Sequence, residues 1–288
     1  VASMAWNVVI TKPPDLSGDV HIRLETPRGV FAGAYRTDLS LDEGSIRRTV
    51  RIPFSVSNLL EQGTHFPTVS LVIDGQVVAA DTGRMRIASC GIKESRTVAF
   101  LPDSTGWLED CLGMTNAAIR PLTRRGLMTA NLSAYKVILI GSGAAQTYRE
   151  LPDARDRLED YVRQGGSLVV FGQDYRWPRD VLPFMLVPSL EQISGSDITV
   201  AIPEARILSK PHKISIDGLI RGFGHKREVA AAVVAPSEKV LTTPSGAVLL
   251  SVSRLGEGQF IYCGLPLFEM VSQLNLQAIH LLANILNY

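Results

Sequence analysis

LSAYKVILIGSG at residues 132–143 and LEDYVRQGGSLVVF at residues 158–171 are the stretches whose reading decides the fold. Val137-Ile138-Leu139-Ile140 is apolar at every position and runs into Gly141-Ser142-Gly143. A strand with one wet face alternates polar and apolar residues, whereas a central parallel strand is buried on both faces and reads as a continuous apolar run. Leu151, Ala154, Leu158 and Val162 then recur at helical spacing, Pro152 suits a first turn, and Gly165-Gly166 ends the helix where positive φ is tolerated. Residues 167–171 form the next apolar strand. Strand, glycine turn, helix and strand make the repeating unit of a sheet covered by helices on both faces.

The same alternation extends outward on both sides of these stretches. Strands are expected at residues 97–101, 117–122, 198–202, 230–235, 247–251 and 259–263, with a short helix at 107–114 and a closing amphipathic helix at 271–286. Ahead of residue 94 the period changes. Short β-branched and apolar runs at 6–10, 20–25, 30–35, 47–54, 68–73 and 76–80 are separated by turn signals, and Asp74-Gly75 is a strong two-residue hairpin signal. No helical stretch there exceeds residues 55–62. The expected architecture is therefore an N-terminal antiparallel β-sandwich over residues 1–93, followed by a doubly wound, mostly parallel α/β domain over residues 94–288.

Composition agrees with two globular domains and narrows the partners. A chain of 288 residues exceeds the usual single-domain mode of about 100 to 150. Its 29 basic and 28 acidic residues leave a formal charge of +1, which offers no electrostatic reason for a nucleic-acid partner. The longest uncharged stretch, residues 270–287, is interrupted by Ser272, Gln273, Asn275, Gln277, His280 and Asn284, so no membrane span is expected. The start Val1-Ala2-Ser3-Met4 lacks a signal-peptide pattern, and a first residue other than Met suggests a processed chain or a piece of a longer one. That reading suits either a cytoplasmic protein or the exported part of a longer chain. Cys90, Cys111 and Cys263 are an odd number without a CxxC pair, which suggests buried hydrophobes, with a Cys90–Cys111 bridge open in an oxidising compartment.

Residues 132–141 and 158–171 resemble the strand and helix signature of class I glutamine amidotransferase-like domains. LGEGQFIY at 255–262 with Ala283-Asn284-Ile285-Leu286 is similar to the ending of those domains. The resemblance covers residues 96–288, and its nearest form is the non-catalytic type found behind a β-sandwich in bacterial proteins associated with PIG-L-type deacetylases and other sugar-related proteins. It implies a flavodoxin-like sheet whose nucleophile sits on a sharp Gly-x-Cys-x-Gly turn after the strand at 167–171. Here that turn reads Gly172-Gln173-Asp174-Tyr175-Arg176, with Asp174 in place of the thiol and Arg176 in place of the second glycine. The base expected from a His-Pro-Glu segment is replaced by Tyr262-Cys263-Gly264-Leu265-Pro266. Without thiol and imidazole, the family's acyl transfer cannot run.

The leading expectation is a non-catalytic accessory or scaffold module of a larger parent polypeptide or protein complex. The glycine turn at 141–143 could offer backbone donors to an anion, although a plain strand-to-helix connection explains it more simply. Ligands in open parallel sheets sit at the carboxyl ends of the strands, so Ser142, Gln146, Gln173, Asp174, Tyr175 and Trp177 are the candidate ligand-binding residues. Tyr175 and Trp177 beside Asp174 could form a platform for a neutral carbohydrate, although aromatics beside a proline, here Pro178, more often pack than bind. No cofactor motif is present. His212 and His225 have no companion at metal-ligand spacing, so no metal is expected. Two alternatives stay open: a hydrolase rearranged around Asp174 or Cys263, and a structural module in which the sandwich drives homo-oligomerisation.

Overall fold

A computed structural model describes residues 2–9, 17–25, 31–40, 47–54, 63–73, 75–83, 85–87, 97–103, 106–113, 117–178, 181, 185–221, 227–273 and 275–288. The chain divides into two units, Val1–Ser89 and Cys90–Tyr288.

In the first unit every strand pairing is antiparallel. β1 (Ala2–Val9) pairs with β4 (Arg47–Phe54), and β2 (Ser17–Glu25), β3 (Phe31–Ser40), β5 (Gly63–Ile73) and β6 (Gln76–Thr82) form a sheet in the order β3-β2-β5-β6. The short β7 (Met85–Ile87) adds to the start of β5. The described part of each of the six strand runs expected from the sequence falls on one of these strands, residues 10 and 30 lying outside the described residues. The Asp74-Gly75 signal works as a hairpin: Ile73 lies opposite Gln76, and Gly75 takes φ +79°, a conformation open to glycine at little cost. The expected helical stretch at 55–62 lies outside the described residues.

The second unit is mixed α/β. Its strands are β8 (Thr97–Leu101), β9 (Ala118–Pro121), β10 (Val137–Ile140), β11 (Ser167–Phe171), β12 (Met185–Ile193), β13 (Thr199–Val200), β14 (Arg227–Ala235), β15 (Glu238–Thr242), β16 (Val248–Leu255) and β17 (Gly258–Cys263). The helices are α1 (Trp107–Gly113), α2 (Arg124–Thr129), α3 (Arg155–Arg163), α4 (Arg206–Ser209), α5 (Ile216–Arg221), α6 (Leu267–Ser272) and α7 (Leu276–Asn287). Ten strands make one sheet with the path β12-β14-β16-β17-β11-β10-β8-β9, and β15 and β13 hang from β16. The stretch β17-β11-β10-β8-β9 is parallel. Numbered by their own order along the chain, these five strands lie 2-1-3-4-5.

Burial explains the continuous apolar runs. Val137 and Leu139 enter one core with Val98, Phe100, Val169, Phe171 and Ile261, while Ile138 and Ile140 enter a second core with Ala99, Leu101, Leu168, Val170 and Phe260. Successive side chains point to opposite faces of a strand, so each strand feeds both cores and needs apolar residues throughout. Helices α1, α6 and α7 cover the first core and α3 the second. The chain therefore leaves β8 toward one face and β10 toward the other.

The sheet is parallel across β17-β11-β10-β8-β9, as expected for its centre, and antiparallel where β12, β13, β14, β15 and β16 join it. A two-residue connection such as that between β16 and β17 cannot cross over to a parallel neighbour. Two expectations are corrected here. The closing helix divides into α6 and α7, because the Asn275 side chain caps a new start by accepting from Gln277 N–H at 2.9 Å and Ala278 N–H at 3.1 Å. The strand expected at 198–202 contracts to the two residues of β13.

Cys111 and Cys263 are buried, and Cys111 Sγ lies 3.8 Å from the Phe268 carbonyl. Cys90 lies outside the described residues. Among the described residues no helix is long and apolar enough to cross a membrane.

Candidate functional site

In a parallel sheet, the crevice opens beyond the carboxyl ends of the strands where successive connections leave for opposite faces. Here that point lies between β8 and β10, and glycines let the loops close in on it. Gly141 N–H donates to Leu101 O at 3.0 Å, and a Cβ on Gly141 would stand 2.7 Å from the Asp103 nitrogen, so the loop after β8 packs directly on it. Gly143, at φ +65°, donates its N–H to Gly172 O at 3.0 Å and ties the loops after β10 and β11 together.

Asp174 is the hub of this crevice. Its Oδ2 accepts from Gln146 Nε2 at 2.7 Å and its Oδ1 from Arg176 N–H at 2.9 Å, while its backbone carbonyl accepts from Trp177 N–H at 3.0 Å. Gln173 is 1% exposed; its Nε2 donates to Gly141 O at 2.8 Å and Phe171 O at 2.5 Å, pinning the ends of β10 and β11 together. Its Oε1 has no partner among the described residues. Ser142 is half-buried and Gln146 exposed.

The two aromatics expected to form a platform separate. Tyr175 is 77% exposed, and the Arg176 guanidinium carbon stands 5.4 Å from its ring centroid. Trp177 is 4% exposed and packs in the second core, so its ring faces offer no stacking surface to a ligand. Of the six sequence candidates, Ser142, Gln146, Asp174 and Tyr175 reach the surface of the crevice, and Gln173 and Trp177 build the wall behind it. Arg149 and Arg176 were not among the candidates. With Ala145, Gln146 and Pro178 they line a depression of about 420 Å³.

The glycines that follow β11 and β17 are closely packed. A Cβ on Gly172 would meet the Ala230 Cβ at 2.9 Å, and one on Gly264 would meet the Ala230 carbonyl oxygen at 2.0 Å. Tyr262 also donates its hydroxyl to that oxygen. Ala230 of β14 therefore abuts the ends of both β11 and β17. Cys263 is fully buried in the first core, and burial pushes its thiol pKa up to about 12, so almost no thiolate exists at neutral pH. His212 and His280 pack on each other, with ring centroids 4.3 Å apart. Among the described residues, no three His, Cys, Asp or Glu side chains are placed to hold a metal ion.

A second hollow, of about 360 Å³, lies at the amino ends of the strands, between residues 129–133 and α3. Its Arg157 is spent on the carbonyls of Leu127 and Ala130, which closes the turn after α2.

No known family matches the chain, and no curated protein matches it in sequence. Among solved structures, a cytoplasmic protein from Salmonella typhimurium is 16% identical with a TM-score of 0.38, the likeness covering 72% of this chain and 91% of that one. A β-galactosidase from Bacillus circulans sp. alkalophilus is 14% identical with a TM-score of 0.38, covering 67% of this chain and 30% of that one. An exo-β-1,4-mannosidase from Opitutaceae bacterium strain TAV5 is 10% identical with a TM-score of 0.40, covering 67% of this chain and 36% of that one. This chain thus spans about a third of either glycosidase. Likenesses at this level identify neither a fold nor a function.

Proposed function

We propose that this chain is a non-catalytic accessory or scaffold module: a β-sandwich followed by a flavodoxin-like, class I amidotransferase-like domain that binds a carbohydrate at the crevice of Gln146, Asp174 and Tyr175. The observation that carries the reading is the state of the elbow. Asp174, where the resemblance calls for a thiol, has both carboxylate oxygens engaged by Gln146 and Arg176, and Ala230 abuts the glycine before it. A nucleophile needs a free reactive atom, a base within hydrogen-bond reach and room for the reacting carbonyl. The 2-1-3-4-5 order of the parallel strands supports the flavodoxin-like part, since that order is one of the two common doubly wound arrangements. The exposed Tyr175 supports carbohydrate binding, because an aromatic face packs on the apolar face of a pyranose.

The test pairs two measurements on the full chain. Glycan binding followed by ligand-observed NMR should weaken at least severalfold in Tyr175→Ala. A screen of esterase, amidase and glycosidase substrates should show no turnover. Turnover that disappears in Asp174→Asn would overturn the non-catalytic reading in favour of a rearranged hydrolase.

A further inference from the structure

We infer that the depression beside the Asp174 elbow takes an acidic sugar, one carrying a carboxylate, in preference to a neutral one. The inference rests on the carbohydrate reading above and narrows its ligand class.

Asp174 lies beside the depression rather than in its lining, and part of its acceptor capacity is spent inside the protein, Oδ2 accepting from Gln146 Nε2 at 2.7 Å and Oδ1 from Arg176 N–H at 2.9 Å. The charged groups that do line the depression are donors. Arg149 makes no hydrogen bond or ion pair among the described residues, and the exposed Arg176 guanidinium has its Nε 3.3 Å from the neighbouring Tyr175 phenol oxygen and feels the Asp174 carboxylate only as a weaker charge partner. Both guanidinium groups line the same depression of about 420 Å³.

The nearest other acid in sequence, Glu150, faces Arg124, with a nitrogen-to-oxygen distance of 3.9 Å. Among the described residues, Arg149 and Arg176 are the charged side chains that line the depression, so its lining is cationic although the whole chain carries only +1. Arginine forks match a carboxylate in bidentate geometry, and such charge-assisted bonds are roughly twice as strong as neutral ones. A carboxylate between Arg149 and Arg176 engages both charged groups that line the depression, and the exposed Tyr175, next to Arg176 in the chain, offers an aromatic face beside it.

The test compares three probes on the full chain at low salt: glucuronate, glucose and inorganic phosphate. Glucuronate should bind about tenfold or more tightly than either of the others, and Arg149→Ala with Arg176→Ala should remove about tenfold of that affinity. Both arginines are exposed, so circular dichroism should show the double variant folded as the parent. Equal binding of glucose and glucuronate overturns the acidic preference and leaves the carbohydrate reading standing. Phosphate binding as tight as glucuronate overturns the sugar part and leaves an anion site. Binding of none of the three overturns this inference together with the carbohydrate reading. An unchanged glucuronate affinity in the double variant overturns the placement.

Discussion

Lowering the pH from about 7.5 to about 5.5 should weaken the second unit through His212 and His280, and His280→Phe should remove much of that loss. The two imidazoles stack with centroids 4.3 Å and planes 9° apart, one in the loop after α4 and the other on α7. The Nε2 of each is buried without a partner among the described residues. Burial lowers both pKa values, and the facing His212 lowers that of His280 further. The helices packed against α7 carry Arg206 on α4, Asp217 and Arg221 on α5, and Glu269 on α6, while Lys210 and Lys213 flank His212. None of these contributes to the shift of either ring.

An unfolded chain takes up these protons near pH 6.5, whereas the folded pair takes them up only at lower pH. The unfolded state therefore binds more protons as the pH falls through 6.5 toward the folded values, and stability, complete above that window, declines within it. The ceiling is about 1.4 kcal/mol per pH unit for each proton of difference. Two imidazolium charges 4.3 Å apart repel by about 1 kcal/mol in a water-like medium and about 4 kcal/mol at an effective dielectric of 20, so the pair accepts one proton before the second. Both rings are only partly buried, and solvent screening brings the expected loss to about 1 to 2 kcal/mol across the window. The assay is urea unfolding at a series of pH values, parent against His280→Phe, which keeps a stacked ring but cannot titrate. If the variant's midpoint falls as steeply as the parent's, or the parent gains stability on acidification, the reasoning is wrong.

Three further outcomes are expected. Cys263, buried and held near pKa 12, should resist a water-soluble thiol reagent at about pH 8 until urea unfolds the chain; rapid labelling of the native protein at this position would contradict its burial. Asn284→Ala should cost about 2 to 4 kcal/mol of stability by urea titration. Its fully buried amide accepts from His212 N–H at 2.9 Å and donates to Ile207 O at 2.8 Å and His212 O at 2.7 Å, and a loss below about 0.5 kcal/mol would count against that clasp. Gly258→Ala should cost more than about 3 kcal/mol, because the added Cβ would stand 2.0 Å from Val162 O and 2.4 Å from Gly166 O, and backbone cannot yield cheaply; a folded variant of parental stability would refute that packing.

The strands at 97–101, 137–140 and 167–171 were legible because burial on both faces demands apolar residues at every position. β12 was not: as an edge strand it carries Pro188, Ser189, Glu191 and Gln192, so its pattern reads as loop. The break between α6 and α7 was legible in principle, since Asn275 is a good cap, but an apolar run on either side masked it. In the site, the turn at 172–176 could be found as the loop at the carboxyl end of an apolar parallel strand. Which of its residues reach solvent could not, and Trp177 and Gln173 proved to be wall. The partnership of Gln146 with Asp174 joins residues 28 positions apart and has no local signal.

By itself, the sequence determined which segments shed water, where the strand-only pattern gives way to strand and helix, and that residues 172–176 hold no cysteine. These are properties of local composition and period. The tertiary structure decided the strand directions around β16 and β17, the seat of Ala230 against the ends of two strands, the hydrogen bond of Gln146 to Asp174, and the pairing of His212 with His280. Each of these depends on groups far apart in the chain meeting at distances of a few ångströms, and only the closed packing of both cores sets such distances.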